Sequence, residues 1–182
     1  TQYELKPKTE SQIVMVSESN ERFEAIQSEK QQDTVHNYWK LILDTISSKK
    51  EFEISDLKLT LQLKTYSLND SSIVRNLAQK GERPYLDHSH KIVTDFKLIT
   101  DSIIDTKRID RTNFEKSLDS EFYVKCNLFR TEIDSISGKK ILLNSDLAVP
   151  DTDNVWTVWY SIQIDNVQLD KMIIKEAKYT GM

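Results

Sequence analysis

Glycine is scarce in this chain: Gly81, Gly138 and Gly181 are the only three in 182 residues, and none adjoins another. Walker loops, dinucleotide fingerprints and nucleophile elbows all need glycines clustered within a few positions, so none of these can be built. A single cysteine, Cys126, permits no internal disulfide and leaves the redox compartment open. Its neighbours at two-residue spacing are Phe122, Val124 and Leu128, which make it a small buried hydrophobe on an apolar strand face rather than a reactive thiol. Long apolar runs are missing too. No segment approaches the ~20 residues of a membrane-spanning helix, so no membrane insertion is expected of this chain. The first residues, Thr1 to Lys8, lack the apolar centre of a signal peptide. They also lack an initiating Met, so two locations stay open: the extracytoplasmic face of a membrane if an upstream anchor has been removed, and the cytoplasm otherwise.

Positive charge is likewise short. Lys and Arg number 25 against 29 Asp and Glu, a net charge of -4, which argues against a nucleic-acid partner. The one basic cluster, Lys107, Arg108 and Arg111, is interleaved with Asp105, Asp110 and Glu115 and reads as a mixed, solvated face.

What is present is an ordinary globular composition, 38% hydrophobic and 30% charged, long enough for one core. The expected organisation is a single domain over 1–182 whose first 17 residues form an extended lead-in arm. Within that arm, Ile13 to Val16 reads as a short strand or docking segment. Val35, Trp39, Ile42 and Ile46 recur at spacings of four, three and four, widened by Tyr38 and Leu43. This predicts an amphipathic helix from Asp33 or Thr34 to about Ser48. The weak stripe of Phe23 and Ile26 leaves an extension through Glu21 to Gln32 undecided.

The pattern then switches to period two. Leu57, Leu59, Leu61 and Leu63 alternate with Lys58, Thr60, Gln62 and Lys64, a half-buried strand. A short helix over Ser72 to Lys80 is expected to end at Gly81. A strand around Lys91 to Thr100 and a helix around Thr112 to Leu118 follow. Strands are then expected at Phe122 to Ile133, Lys140 to Val149, Val155 to Asp165 and Leu169 to Lys178. Their connections are short and rich in turn formers, Gly138 among them, which predicts an antiparallel meander. Helix first and sheet after makes the fold class α+β: an N-terminal amphipathic helix packed on a bent antiparallel sheet. The alternative is a two-layer β-sandwich with peripheral helices.

Asp87-His88-Ser89-His90 is the one sequence with metal-ligand character. In a strand, His88 and His90 would share a side and could share an ion, with Asp87 or Asp95 behind them. Two ligands do not close a site, and solvated histidines explain the pair as well, so no metal and no cofactor is assigned. Paired carboxylates are as frequent as 29 acidic residues make them by chance, and no motif marks a catalytic residue. Asn69-Asp70-Ser71 matches a glycosylation acceptor, which matters only in a chain secreted by a eukaryote. The final long strand puts Trp156, Val158, Tyr160, Ile162 and Ile164 on one face. Val155, Thr157, Trp159, Ser161 and Gln163 fall on the other. A tryptophan on a polar face needs cover, which makes Trp159, with Thr157 and Val155, the candidate protein interface.

The order of these segments carries a resemblance: the extended lead-in Leu5 to Val16, then a helix at Tyr38-Trp39, then a closing meander that ends Ile173-Ile174-Lys175-Glu176-Ala177-Lys178-Tyr179. This layout resembles the cystatin-like cone of the nuclear-transport-factor superfamily, and within it the bitopic assembly component of type IV secretion and conjugation systems. The resemblance implies a non-enzymatic structural or assembly subunit that acts through protein partners or self-association. A viral structural protein is one alternative. Another is a small-molecule-binding module or enzyme with a cavity between helix and sheet, in which His36, Asp44 or Tyr160 acts.

Overall fold

The computed structural model describes residues 34–181. Residues 1–33, with the expected lead-in arm, the Ile13 to Val16 segment and the Phe23/Ile26 stripe, lie outside the described residues. Strands take 61% of the structure and helices 7%, which overturns the α+β expectation. Two four-stranded sheets, both antiparallel, form most of the structure. The first holds β2 (Thr45–Ile54), β3 (Leu57–Ser67), β6 (Ile92–Ile99) and β7 (Ile104–Ile109). The second is a meander of β8 (Asn127–Ser137), β9 (Lys140–Ala148), β10 (Val155–Asp165) and β11 (Gln168–Tyr179). A third, smaller sheet places β5 (Tyr85–Ser89) between β1 (Val35–Tyr38), which is parallel to it, and β4 (Ile73–Asn76), which is antiparallel.

One hydrophobic cluster unites the two large sheets. Leu59, Leu61, Leu63, Phe96 and Leu98 come from one, and Leu128, Leu143, Leu147, Val158, Tyr160 and Ile162 from the other. The architecture is therefore a two-layer β-sandwich. Period-two alternation produces it directly, because each inner face supplies every second side chain. The link between the sheets holds the described helices, a 3-10 helix at Arg111–Ser117 and the single turn α1 at Ser120–Tyr123. Their Phe114 and Phe122 plug the core.

The expected first helix is absent, and the four residues of its stripe go to separate places. Val35 lies in β1, Trp39 and Ile42 lie in an extended strap over residues 39–44, and Ile46 lies in β2. The reason is tertiary. The segment is rich in β-branched residues that tolerate extended backbone as well as helix. It finds a parallel partner in β5 and an acceptor for its side chains in Asp87. The long first helix of the cystatin-like layout is thus replaced by strands.

The helix expected before Gly81 is likewise β4 plus turns. Asn76 Oδ1 accepts from the amides of Ala78 (3.1 Å) and Tyr85 (3.3 Å), while Gly81 sits at φ +90° in the following turn. The strand expected from Phe122 starts only at Asn127, because Asp119 accepts from the Glu121 and Phe122 amides and caps α1. Elsewhere the expected segments match closely. The Leu57 strand, the strand near Lys91 to Thr100 and the four-strand meander all form, and Gly138 turns β8 into β9 at φ +55°.

Candidate functional site

The residues that shape the candidate site begin with Asp87. Strand pairing sets it in register with Asn37 on β1 and Arg75 on β4. Arg75 Nη2 and Asp87 form an ion pair whose side chains are 4% and 3% exposed. Asn37 Nδ2 donates to Asp87 Oδ1 at 2.7 Å, and Trp39 Nε1 donates to both carboxylate oxygens at 2.9 and 3.0 Å. Burial works to raise this carboxyl, but the bonds from Arg75, Asn37 and Trp39 outweigh it and hold Asp87 below the usual carboxylate range.

Asp87 thereby fixes the start of the strap, and two further side chains fix its middle. Asn69, at φ +54°, mimics a strand neighbour: its Nδ2 donates to the Ile42 carbonyl (3.1 Å) and its Oδ1 accepts from the Ile42 amide (2.9 Å). The buried ring of His90 accepts at Nδ1 from the Ser71 amide (3.0 Å). Its proton therefore sits on Nε2, which donates to the Lys40 carbonyl (3.1 Å).

Under this strap, at the end of the sandwich, the two sheets part around a cavity of about 520 Å³. Its apolar wall includes Trp39, Ile42, Ile46, Ile92, Leu128 and Phe129. Phe129 sits where the β8 register shifts between Leu128 and Arg130, a bulge that frees its side chain to face the opening. Ser89 also lines the cavity. It is 2% exposed, and its Oγ has no hydrogen-bond partner. A buried hydroxyl without a partner costs about 1–3 kcal/mol, so it marks a place where an incoming group would be welcome. On the strap itself, Leu41 and Leu43 are 67% and 82% exposed, and Ile46 and Phe129 of the lining are also exposed.

A depression of about 560 Å³ on the solvent face of β3, β6 and β7 is a weaker candidate. Its one acidic residue, Asp95, is already held by Arg108 through Nε (2.6 Å) and Nη2 (2.9 Å) and by the Tyr66 hydroxyl (2.9 Å). No buried unpaired group lines it among the described residues.

The histidines do not meet as a metal pair. His90 has both ring nitrogens engaged, while His88 Nε2 lies 2.9 Å from Nδ1 of His36, with His36 and Tyr38 stacked alongside. His36 and His88 together offer two ligands, and among the described residues no three His, Cys, Asp or Glu side chains converge. Asp44 is exposed beside the cavity opening. Tyr160 is a core residue whose hydroxyl ends a buried chain. That chain runs from Thr65 to Thr94 (2.8 Å), Thr131 (3.0 Å), Ser145 (2.8 Å) and Tyr160 (3.0 Å). Cys126 is fully buried, and desolvation pushes its thiol up to about 11.

Each member of the basic cluster has internal work. Lys107 Nζ donates to the Asp170 carbonyl (2.7 Å), Arg108 holds Asp95, and Arg111 Nη1 donates to the carbonyls of Tyr123 (3.2 Å) and Cys126 (3.0 Å).

The three candidate interface residues are not one free face. Trp159 is half-buried on the outer side of β10, flanked in register by Asn144 and Glu176. Thr157 is buried, and its hydroxyl is committed to Asp146 (2.6 Å) and Thr180 (2.9 Å). Val155 belongs to the cavity wall. No helix among the described residues is long and apolar enough to cross a membrane. Comparison with protein-family models and with curated proteins finds no match.

Proposed function

We propose that this chain is a non-enzymatic binding module that takes a small, largely apolar ligand into the cavity beneath the strap. The observation that carries the reading is the cavity of about 520 Å³ with one buried, unpartnered hydroxyl in its wall, at Ser89. Such a volume and such a lining, mostly apolar with a few polar groups, suit a small-molecule site. A catalytic role has less support, because the buried or ion-paired groups able to move protons or attack are already engaged, which leaves only exposed carboxylates at the opening. His90 uses both nitrogens, Asp87 and Asp95 are held by arginines, the Tyr160 hydroxyl is buried on Ser145, and Cys126 is sealed in the core.

The test is a ¹H–¹⁵N NMR titration with 1-octanol. Amide shifts are expected to concentrate at Thr65, Ser89, Ile92 and Leu128, and to vanish in Ser89→Leu, whose side chain fills the space. Shifts spread evenly over the surface, or none at all, would overturn the reading.

Assembly with a protein partner is the second reading, and the exposed Leu41 and Leu43 on the strap favour it. It predicts wild-type self-association in sedimentation experiments that Leu43→Asp abolishes. A monomer at all concentrations removes self-association as the form of that reading.

A further inference from the structure

The cavity carries a charge pattern that specifies its ligand further, on the assumption that it is a ligand site at all. Its lining includes two carboxylates, Asp44 and Asp151, and no lysine or arginine. Both are exposed, so they stand at the solvent side while the apolar wall lies behind them. Neither has an ion-pair partner among the described residues, unlike Asp87, Asp95 and Asp146, which arginines hold. His90 has both ring nitrogens engaged, Nδ1 accepting a hydrogen bond from the Ser71 amide and Nε2 facing the Lys40 carbonyl. Asp44 leaves the strap at the start of β2. Asp151, in the turn between β9 and β10, is held at φ +61°. The buried Ser89 hydroxyl, also in this lining, is an independent sign that the space is built for an occupant.

We infer that the ligand is an amphiphilic cation, an amine with a hydrocarbon tail. The tail lies against Ile46, Leu128 and Phe129, and the ammonium group stays at the opening between the cavity and water, facing Asp44 and Asp151. A fatty acid or an alkyl phosphate of the same length has the same tail but places its negative charge beside two carboxylates, an arrangement that disfavours binding. Neutral alcohols fall between, since they bury the tail without the charge contribution. Because both carboxylates are exposed, each contributes modestly, and salt screens the effect.

The test compares octylamine, 1-octanol and octanoate by calorimetric titration at neutral pH and low salt. Octylamine is expected to bind about five-fold more tightly than 1-octanol, and octanoate about five-fold more weakly, the range two exposed carboxylates give. In Asp44→Asn/Asp151→Asn the three ligands should bind within about two-fold of one another, the residue left once those charges are gone. Equal affinities in the wild type would sink the charge inference while leaving the cavity reading intact. Failure of all three to bind would overturn both. An order reversed in favour of octanoate would also overturn the inference.

Discussion

Asp87 shows how one carboxylate can organise a small sheet. It collects the guanidinium of Arg75, the amide of Asn37 and the indole N–H of Trp39, one from each neighbouring strand and one from the strap. The pair with Arg75 is buried, so its net worth against an apolar replacement is small, yet removing one partner strands a charge. Asp87→Ala is therefore expected to cost about 3–5 kcal/mol in urea denaturation. Arg75→Met/Asp87→Leu should recover part of it, but not all, because Asn37 and Trp39 still lose their acceptor. The depressed carboxyl adds a pH signature. Its contribution is fully present above the unfolded value of about 3.9 and is lost as pH falls through the lower folded value. The acid limb of the wild-type stability curve should flatten in Asp87→Ala; an unchanged limb would show that other carboxylates set it. Sequence placed Asp87 only behind two candidate metal ligands, since nothing local reveals which strands will flank it.

At the scale of elements, residues 39–44 separate what sequence shows from what it hides. The Leu57 strand and the meander were legible, because alternation that survives over ten residues depends little on what covers it. The stripe of Val35, Trp39, Ile42 and Ile46 was not. A helical spacing over a dozen residues is also what a strand, a strap and another strand produce when each sends one or two side chains inward. What decides the matter is distant in sequence: β5 as a parallel partner, and Asn69 and His90 as clamps. The cavity was invisible for the same reason, since its wall draws on six strands of the two large sheets. The Asn69 clamp can be tested alone. Asn69→Gly keeps the left-handed backbone free of strain and deletes both bonds to Ile42, a local cost of about 1–3 kcal/mol. Hydrogen exchange at the Ile42 amide should accelerate accordingly, while Leu61 and Leu143 in the core keep their protection. Equal acceleration at all three would mean that the strap and sandwich open as one unit.

At the scale of the whole molecule, the two sheets are held by more than apolar contact. The hydroxyl chain enters from Thr65 and Thr94 in one sheet, crosses to Thr131 in the other, and ends at Tyr160 by way of Ser145. Burial pushes the Tyr160 hydroxyl well above its usual range, so it stays protonated and able to donate at any ordinary pH. Apolar side chains can repack around a small shift at modest cost, whereas a chain of hydroxyls is satisfied in one alignment only. Thr94 is the link between sheets. Thr94→Val keeps the volume but deprives the Thr65 hydroxyl of its partner in the chain and Thr131 of one of two, and should cost about 1–3 kcal/mol. Because the link spans both layers, urea curves followed by β-sheet circular dichroism and by tryptophan fluorescence should shift together. Thr65→Val/Thr94→Val should cost less than the sum of the two single changes, since the second removes a hydroxyl already orphaned by the first. Strict additivity would show that the two threonines do not act as one chain, and the alignment of the sheets would then rest on apolar packing alone.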